Sequence, residues 1–340
     1  MSNTTIKILA KELNLSVATV SKALRDSYEI SAETKRKVHA LAEKLNYVPN
    51  PYASSLRKRE SKTIAVVLPE VADSFFSQAI NGIESVAQAQ GFHVLIYLTH
   101  ESLLREESIL KEFQGGRVDG VLISVSGETN KSDHIRKLID AGVPVVFFDR
   151  VCEDLEATRI VTNDFECGFE ATHLLASQGC KRIAYLSASS SLSISNSRMQ
   201  GYKKALSELG FKPTDTNILH CGDNMDRNFE AIKTLLRKKN RPDGLIASVE
   251  KFTTLIYLAC QELKLSIPGD VKVISFTNLP TAPILDPSLT TITQPAFEMG
   301  KRAALAMFEG LSKKNSDMKS ETIVIPSQLH KRNSSGPIGK

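Results

Sequence analysis

Apolar residues recur at helical spacing through the first 46 positions of the chain and gather into short unbroken runs from residue 62 onward. In "TIKILAKEL", Ile6, Leu9, Ala10 and Leu13 fall on one face behind Thr5 as the cap. "SVATVSKAL" follows after only Asn14 and Leu15, a connection that predicts a helix-turn-helix corner. Ser16 is its cap. Val20, Ala23 and Leu24 share one face, while Val17, Ala18, Ser21, Lys22 and Arg25 share the other. In "SAETKRKVHALAEKLN", Ser31 is the cap, Glu33 sits in the first turn, and Val38, Leu41, Ala42 and Leu45 point inward. Three apolar stripes of this size predict one miniature core.

The prolines of "YVPNPYASSLRKRES" end the third helix. Asn50 followed by Pro51 pairs an N-cap with a first-turn proline, so a short helix is expected from there to about Leu56. It is too short to hold in isolation, which makes residues 49–60 a hinge whose order depends on a partner. From Lys62 the runs "TIAVVLP", "HVLIYL", "DGVLIS" and "VPVVFFD" alternate with amphipathic stretches such as "SQAINGIESVAQAQ", "REESILKEF" and "HIRKLIDAG". The alternation resumes with "RIAYLS", "NILHC", "DGLIASV" and "VKVISF". Unbroken apolar strands separated by helices predict parallel sheets covered on both faces. Two such series predict two similarly built α/β lobes. "DRVCEDLEATRIVTND" lies between the series, and "SASSSLSISNS" (187–197) reads as a Ser-rich loop.

Composition narrows the class. The 340 residues, 41% hydrophobic and 24% charged, are ordinary for a globular protein of about two domains. No apolar run reaches the length of about 18 residues needed to span a bilayer, and "MSNTTIKILAKEL" lacks the apolar core of a signal peptide. Five scattered Cys without a C-x-x-C pair argue against a disulfide framework and a zinc site and fit a reducing cytoplasm. Charge is the informative total. Residues 1–60 hold eleven cations and six anions, which accounts for the whole net charge of +5. A small polyanion-binding module on a neutral body is the expected arrangement.

Catalytic motifs are absent from the sequence. "QGGRVDG" precedes a strand instead of following one, so it is no phosphate loop. There is no Walker motif, H-E-x-x-H or nucleophile elbow, the seven His are dispersed, and His173 reads as a structural residue of a helix. An enzyme is not expected, and no cofactor or metal is called for. A ligand is another matter, because doubly wound sheets bind ligands beyond the carboxyl ends of their strands. Asp149 follows "VVFF", and Thr277 and Asn278 follow "VISF". Phe75 and Phe76 open the first helix of the core, and Arg198 starts the helix after the Ser-rich loop. A turn or cap role accounts for any one of these alone. Together, a carboxylate, a guanidinium and aromatic faces suit a polyhydroxylated or heterocyclic small molecule.

The ordered stretch from "TIKILAKELNLSVATVSKALRD" through "ISAETKRKVHALAEKLNYVPNPYASSLRKRES" resembles the N-terminus of the lactose-repressor (LacI/GalR) family of bacterial transcription regulators. The remainder resembles that family's periplasmic-binding-protein-like core in "FFSQAINGIESVAQAQGF", "GVPVVFFDR", "GCKRIAYL", "SRMQGYKKAL", "IPGDVKVISF" and "PSLTTITQP". The resemblance implies a helix-turn-helix head over 1–48, a hinge over 49–60, and a core of two doubly wound lobes over 61–340. The first lobe would take about 61–161 plus 293–321, and the second about 162–292 plus 322–333. It also implies a homodimer on a pseudo-palindromic operator, with a small effector between the lobes. Ser16, Val17, Ala18, Ser21, Lys22 and Arg25 would then face the major groove. Thr5, Ser31, Thr34, Tyr47, Asn50 and Ala53 would meet the backbone, and Leu56 would wedge into the minor groove. The implied effector residues are Phe75, Phe76, Asp149, Arg198, Glu250, Phe276, Thr277 and Gln294.

Two places depart from the family pattern. Val249-Glu250 stands where Asn-Asp is usual, and Ser275, Phe276, Thr277 and Asn278 stand where Gly, an aromatic and Asp-Asp are usual. A sugar or sugar phosphate is the first expectation. A nucleobase-like ligand, or a pocket without small-molecule response, remains open. A solute-binding protein would not need the basic head. The polar tail "GPIGK" carries no heptad run, so dimers are expected and not tetramers.

Overall fold

The computed structural model describes residues 5–47, 61–188, 192–211, 218–222, 224–312 and 320–337. The expected hinge over 49–60, with Asn50, Ala53 and Leu56, lies outside the described residues. Two units divide the chain, Met1–Glu60 and Ser61–Lys340.

In the first unit, α1 (Ile6–Glu12), α2 (Val17–Leu24) and α3 (Ala32–Lys44) bury the predicted stripes against one another. Leu9, Ala10, Val20, Ala23, Val38 and Ala42 form the core, and Leu13, Leu24, Leu41 and Tyr47 pack around it. Ser16 and Ser31 accept capping bonds from the Thr19 and Thr34 N–H groups. Thr5 does not cap as expected: it occupies the position, but its side chain makes no capping bond and stays exposed. The corner between α1 and α2 is sharp because Asn14 takes a left-handed φ of 54°, which Asn tolerates better than most residues.

The second unit holds two six-stranded sheets. β1 (Thr63–Leu68), α4 (Ser74–Ala89), β2 (His93–Leu98), α5 (Leu103–Phe113), β3 (Gly120–Ile123), α6 (Asp133–Asp140), β4 (Val145–Phe148) and β5 (Thr158–Val161) build the first lobe. α7 (Asp164–Ser177), β6 (Ile183–Ser187), α8 (Ser193–Glu208), β7 (Ile218–His220), α9 (Met225–Arg237), β8 (Gly244–Ala247), α10 (Lys251–Glu262), β9 (Lys272–Phe276) and β10 (Thr290–Thr293) build the second. The chain then returns to the first lobe for α11 (Ala296–Ser312) and β11 (Thr322–Val324) and ends in the second with β12 (Gln328–His330). The strand orders are β11-β5-β4-β3-β1-β2 and β12-β10-β9-β8-β6-β7. Every pairing is parallel except β10 with β12. β1, β3, β4 and β8 are buried along their whole length, which is why they read as unbroken apolar runs.

The expected lobe boundary at 322 is corrected. Thr322, Ile323 and Val324 pair with Arg159, Ile160 and Val161 of the first sheet, so the last crossing falls after Val324. β5, β10, β11 and β12 flank the crossings and extend each sheet beyond its four predicted strands.

Each lobe is also closed by a pair of glycines in touching helices. A Cβ on Gly82 would lie 2.0 Å from the Phe297 carbonyl oxygen, and one on Gly300 would lie 2.0 Å from that of Ala79, so α4 and α11 meet backbone to backbone. In the second lobe, Gly168 and Gly201 stand in the same relation to the carbonyl oxygens of Arg198 and Phe165. That contact fixes α8 against α7, and with it the two side chains that face each other below.

Candidate functional site

On the head, the leading edge of α2 is small and exposed, as the pattern predicted. Val17 is 42% exposed, and Ser16 and Ala18 are exposed beside it. The two cations behind it already have partners. Lys22 donates to the Glu29 carboxylate. Arg25 folds back on Ser21, donating through Nε to its carbonyl oxygen at 3.1 Å and through Nη2 to its hydroxyl at 3.3 Å. Glu29 lies in the loop after α2 and was not singled out from the sequence, because periodicity says nothing about a pairing across a turn. Ser31 and Thr34 share a hydroxyl–hydroxyl bond of 2.9 Å at the start of α3.

In the core, the strand ends of both lobes converge on a set of buried polar side chains. Asp149 follows β4 with a left-handed φ of 60° and is 5% exposed. Gln294, in the crossing after β10, donates to its Oδ1 at 2.9 Å. Burial pushes the Asp149 carboxyl up, and the nearby charges of Arg150 and Arg198 oppose this. Arg198 is 2% exposed, with Nε donating to Asp164 Oδ1 at 2.6 Å and Nη1 to the Ser248 carbonyl oxygen at 2.6 Å. Its Nη2 has no hydrogen-bond partner among the described residues. Burial alone would push the guanidinium down, but Asp164 and Asp149 hold it above its ordinary value. Phe276 lies beneath it, with its ring centroid 4.3 Å from Cζ.

Glu250 ties the two lobes together. Its carboxylate accepts the N–H (3.1 Å) and hydroxyl of Ser74 from the first lobe, and the Thr277 hydroxyl and Asn278 N–H (3.2 Å) from the second. Asn278 also donates to Gln78 Oε1 at 3.3 Å. Beside this knot, Asp73 caps α4 by accepting the Phe75 N–H at 2.8 Å. Burial, then the Glu250 charge, push its carboxyl up to about 7.

A cavity of about 390 Å³ opens between the lobes, with Asp149, Thr162, Asn163, Asp164, Ser193 and Ser197 on its walls. Thr162, only 7% exposed, has a hydroxyl without a partner among the described residues. A second cavity of about 500 Å³, on which Asp73, Glu101 and Glu250 lie, is also shared by both lobes. Of the implied effector residues, Asp149 lies on the wall of the first cavity, Gln294 is bonded to it and Arg198 is buried over Phe276 off that wall, and Glu250 and Thr277 meet in the interlobe knot. Phe75 and Phe76 lie instead in the first lobe's core, edge to face at 5.3 Å, so they offer no free aromatic face. His173 is exposed and stacks on Phe169. Asp164, Thr162 and Ser193 were missed. The signal for Asp164 was present, since an acid ends "TRIVTND" just as Asp149 ends "VVFFD".

Among the described residues, no group of three His, Cys, Asp or Glu side chains is placed to hold a metal ion, and no helix is long and apolar enough to cross a membrane.

Residues 5–50 match the bacterial regulatory proteins of the lacI family, and residues 61–333 match the periplasmic binding proteins and sugar binding domain of the LacI family. The chain is 27% identical to catabolite control protein A of Priestia megaterium over 334 residues, covering 98% of this chain and 99% of that protein. It is 29% identical to the ribose operon repressor of Haemophilus influenzae over 311 residues, covering 92% of this chain and 93% of that one. Among solved structures, the lac repressor dimer bound to operator and an anti-inducer superposes with a TM-score of 0.83 at 22% identity, covering 98% of this chain and 99% of that one.

Proposed function

The chain belongs to the LacI family of bacterial regulatory proteins, and on that premise we propose that it is a cytoplasmic, homodimeric repressor whose operator affinity is set by a carbohydrate held between its lobes. As a member of that family it is a DNA-binding regulator of transcription. The finer assignment rests on one observation: the buried carboxylates Asp149 and Asp164 line the first cavity, and the buried guanidinium paired with Asp164 has an Nη2 without a partner among the described residues. Carboxylates accept hydroxyl protons and the guanidinium donates to a ring or hydroxyl oxygen, which is the chemistry a sugar offers.

Charge favours an unphosphorylated sugar. Glu153 and Glu166 join Asp149 and Asp164 on the cavity wall. The cation on that wall, Arg159, spends its Nε and Nη2 on the carbonyl oxygens of Cys152, Glu153 and Leu155. A phosphate entering there would meet like charge. A heterocycle is the second reading, supported by Phe165, which lies on the same wall and is 40% exposed.

On the head, the small residues Ser16, Val17, Ala18 and Ser21 let α2 seat deeply in the major groove, and Lys22 and Arg25 then exchange their internal partners for base edges and phosphates. Thr5, Ser31, Thr34 and Tyr47 frame the backbone contact. Asn50, Ala53 and Leu56 belong to the hinge, whose pairing in a dimer couples lobe angle to DNA affinity. Coupling of this kind is reciprocal.

The assignment is tested by titrating the full-length protein onto duplexes it selects from a random library, with and without sugars. Asp149→Ala should keep operator binding and lose the sugar response. A folded, dimeric Asp149→Ala protein that no longer binds operator would overturn it.

A further inference from the structure

A third cavity, of about 370 Å³, adjoins the one over Asp149, and the two share Val151, Glu153, Ser193 and Ser197 as lining. The two therefore meet at these four residues. We infer that the effector is a two-unit carbohydrate, a disaccharide or glycoside, whose second unit sits between the 129–132 loop of the first lobe and the first turn of α8. This rests on the reading of the cleft as the effector site.

The third cavity differs in chemistry from the first. Its walls are largely polar: Thr129, Asn130, Lys131 and Ser132 on one side, Asn196 and Ser197 on the other, with the carboxylates of Glu153 and Asp154 beside the one ammonium. Amides, hydroxyls and one ammonium suit sugar hydroxyls as both donors and acceptors. The Ser193 hydroxyl, at the junction of the two cavities, is buried without a hydrogen-bond partner among the described residues.

The wall is also built, and not merely left open. Glu106 is fully buried, an unusual place for a carboxylate unless it is fully bonded. It accepts the Ser126 N–H at 2.7 Å and the Thr129 hydroxyl at 2.8 Å, and His134 Nε2 lies 2.7 Å from it. The Gly127 N–H donates to Glu101 at 2.6 Å, and Ser132 donates to Asp154 at the far end of the loop. The loop from Ser126 to Ser132 is thus held by the buried Glu106, the half-buried Glu101 and the exposed Asp154. Such fixing lowers the entropy cost of binding. Each cavity alone lies near the ~300 Å³ lower end of small-ligand sites. A first ring against Asp149 leaves a polar space beside it that suits a second, linked ring.

The test uses the full-length protein in calorimetric titrations with cellobiose, maltose, lactose, sucrose and trehalose, and with glucose, galactose and fructose. At least one disaccharide should bind at least about tenfold tighter than its own components, a margin of ~1.4 kcal/mol. Lys131→Ala, on an exposed side chain that leaves the melting temperature unchanged, and Asn196→Ala should each weaken that disaccharide while leaving monosaccharide and operator binding as they were. A monosaccharide that binds as tightly as any disaccharide, or variants that weaken both classes equally or neither, would overturn the subsite and leave the effector site standing. No binding by any sugar in either class would overturn the effector reading, and the subsite with it.

Discussion

Arg198 and Asp164 form a buried ion pair, 2.6 Å from Nε to Oδ1, with the two side chains 2% and 7% exposed. It joins the start of α7 to the first turns of α8. Removing one partner of such a pair strands the other in a low-dielectric interior. Asp164→Ala should therefore cost about 3–5 kcal/mol in urea unfolding. Replacing both with apolar residues of similar volume should recover most of that stability but abolish sugar binding. A single variant as stable as the parent would show that water reaches the guanidinium.

The pair depends on a contact that has no charge in it. A Cβ at Gly168 would fall 2.0 Å from the Arg198 carbonyl oxygen. Gly168→Ala should push α8 away from α7, costing about 1–3 kcal/mol and weakening sugar binding, with the head's melting behaviour untouched. Gly222→Ala, which meets nothing within 4 Å, is the control and should change little.

Asp73 gives the core a pH dependence of unusual sign. Its folded carboxyl keeps its proton up to about 7, whereas the unfolded one loses it near 3.8, so folding takes up a proton between those values. Stability from this group is full below the lower value, falls as pH rises, and levels off above about 7. Asp73→Asn, which can still cap α4, should flatten the rise and fall of melting temperature across that window and stabilise the protein on its alkaline side. An unchanged slope would place the proton elsewhere.

How much of this was legible in the sequence depended on distance along the chain. The head's core was readable, because Leu9, Val20 and Val38 sit in stripes that repeat within each helix. So were β1, β3, β4 and β8, whose double-sided burial leaves an unbroken apolar run. The third crossing was misplaced because "TIV" at 322–324 is too short and too exposed to be distinguished from a loop. Glu250 and Ser74 are 176 residues apart, and no local pattern announces that they meet. Gly168 and Gly201 looked like ordinary helix glycines until the backbone passing each of them was known. Periodicity reports which side chains leave water, and it is silent about what they meet.

On the head, Lys22 and Glu29 make the next testable pair, each 46% exposed. Exposed pairs contribute little to stability, so Glu29→Gln should leave the unfolding free energy within about 0.5 kcal/mol of the parent's. It should instead free Lys22 for phosphates, raising affinity for random duplexes and steepening the salt dependence. Lys22→Ala should cost about 1–3 kcal/mol per half-site on selected DNA and much less on random DNA. Equal losses on both would remove Lys22 from base recognition.

The central claim is that one small molecule between Asp149 and Arg198 and one operator on the head act on each other. The direct measurement is a closed thermodynamic cycle on the whole chain. Sugar affinity is measured with and without a selected operator duplex, and operator affinity with and without that sugar. The two ratios should be equal and different from one, and both should collapse to one in Asp149→Ala while its operator binding persists. Ratios of one in the parent protein, or an undiminished response in Asp149→Ala, would contradict it.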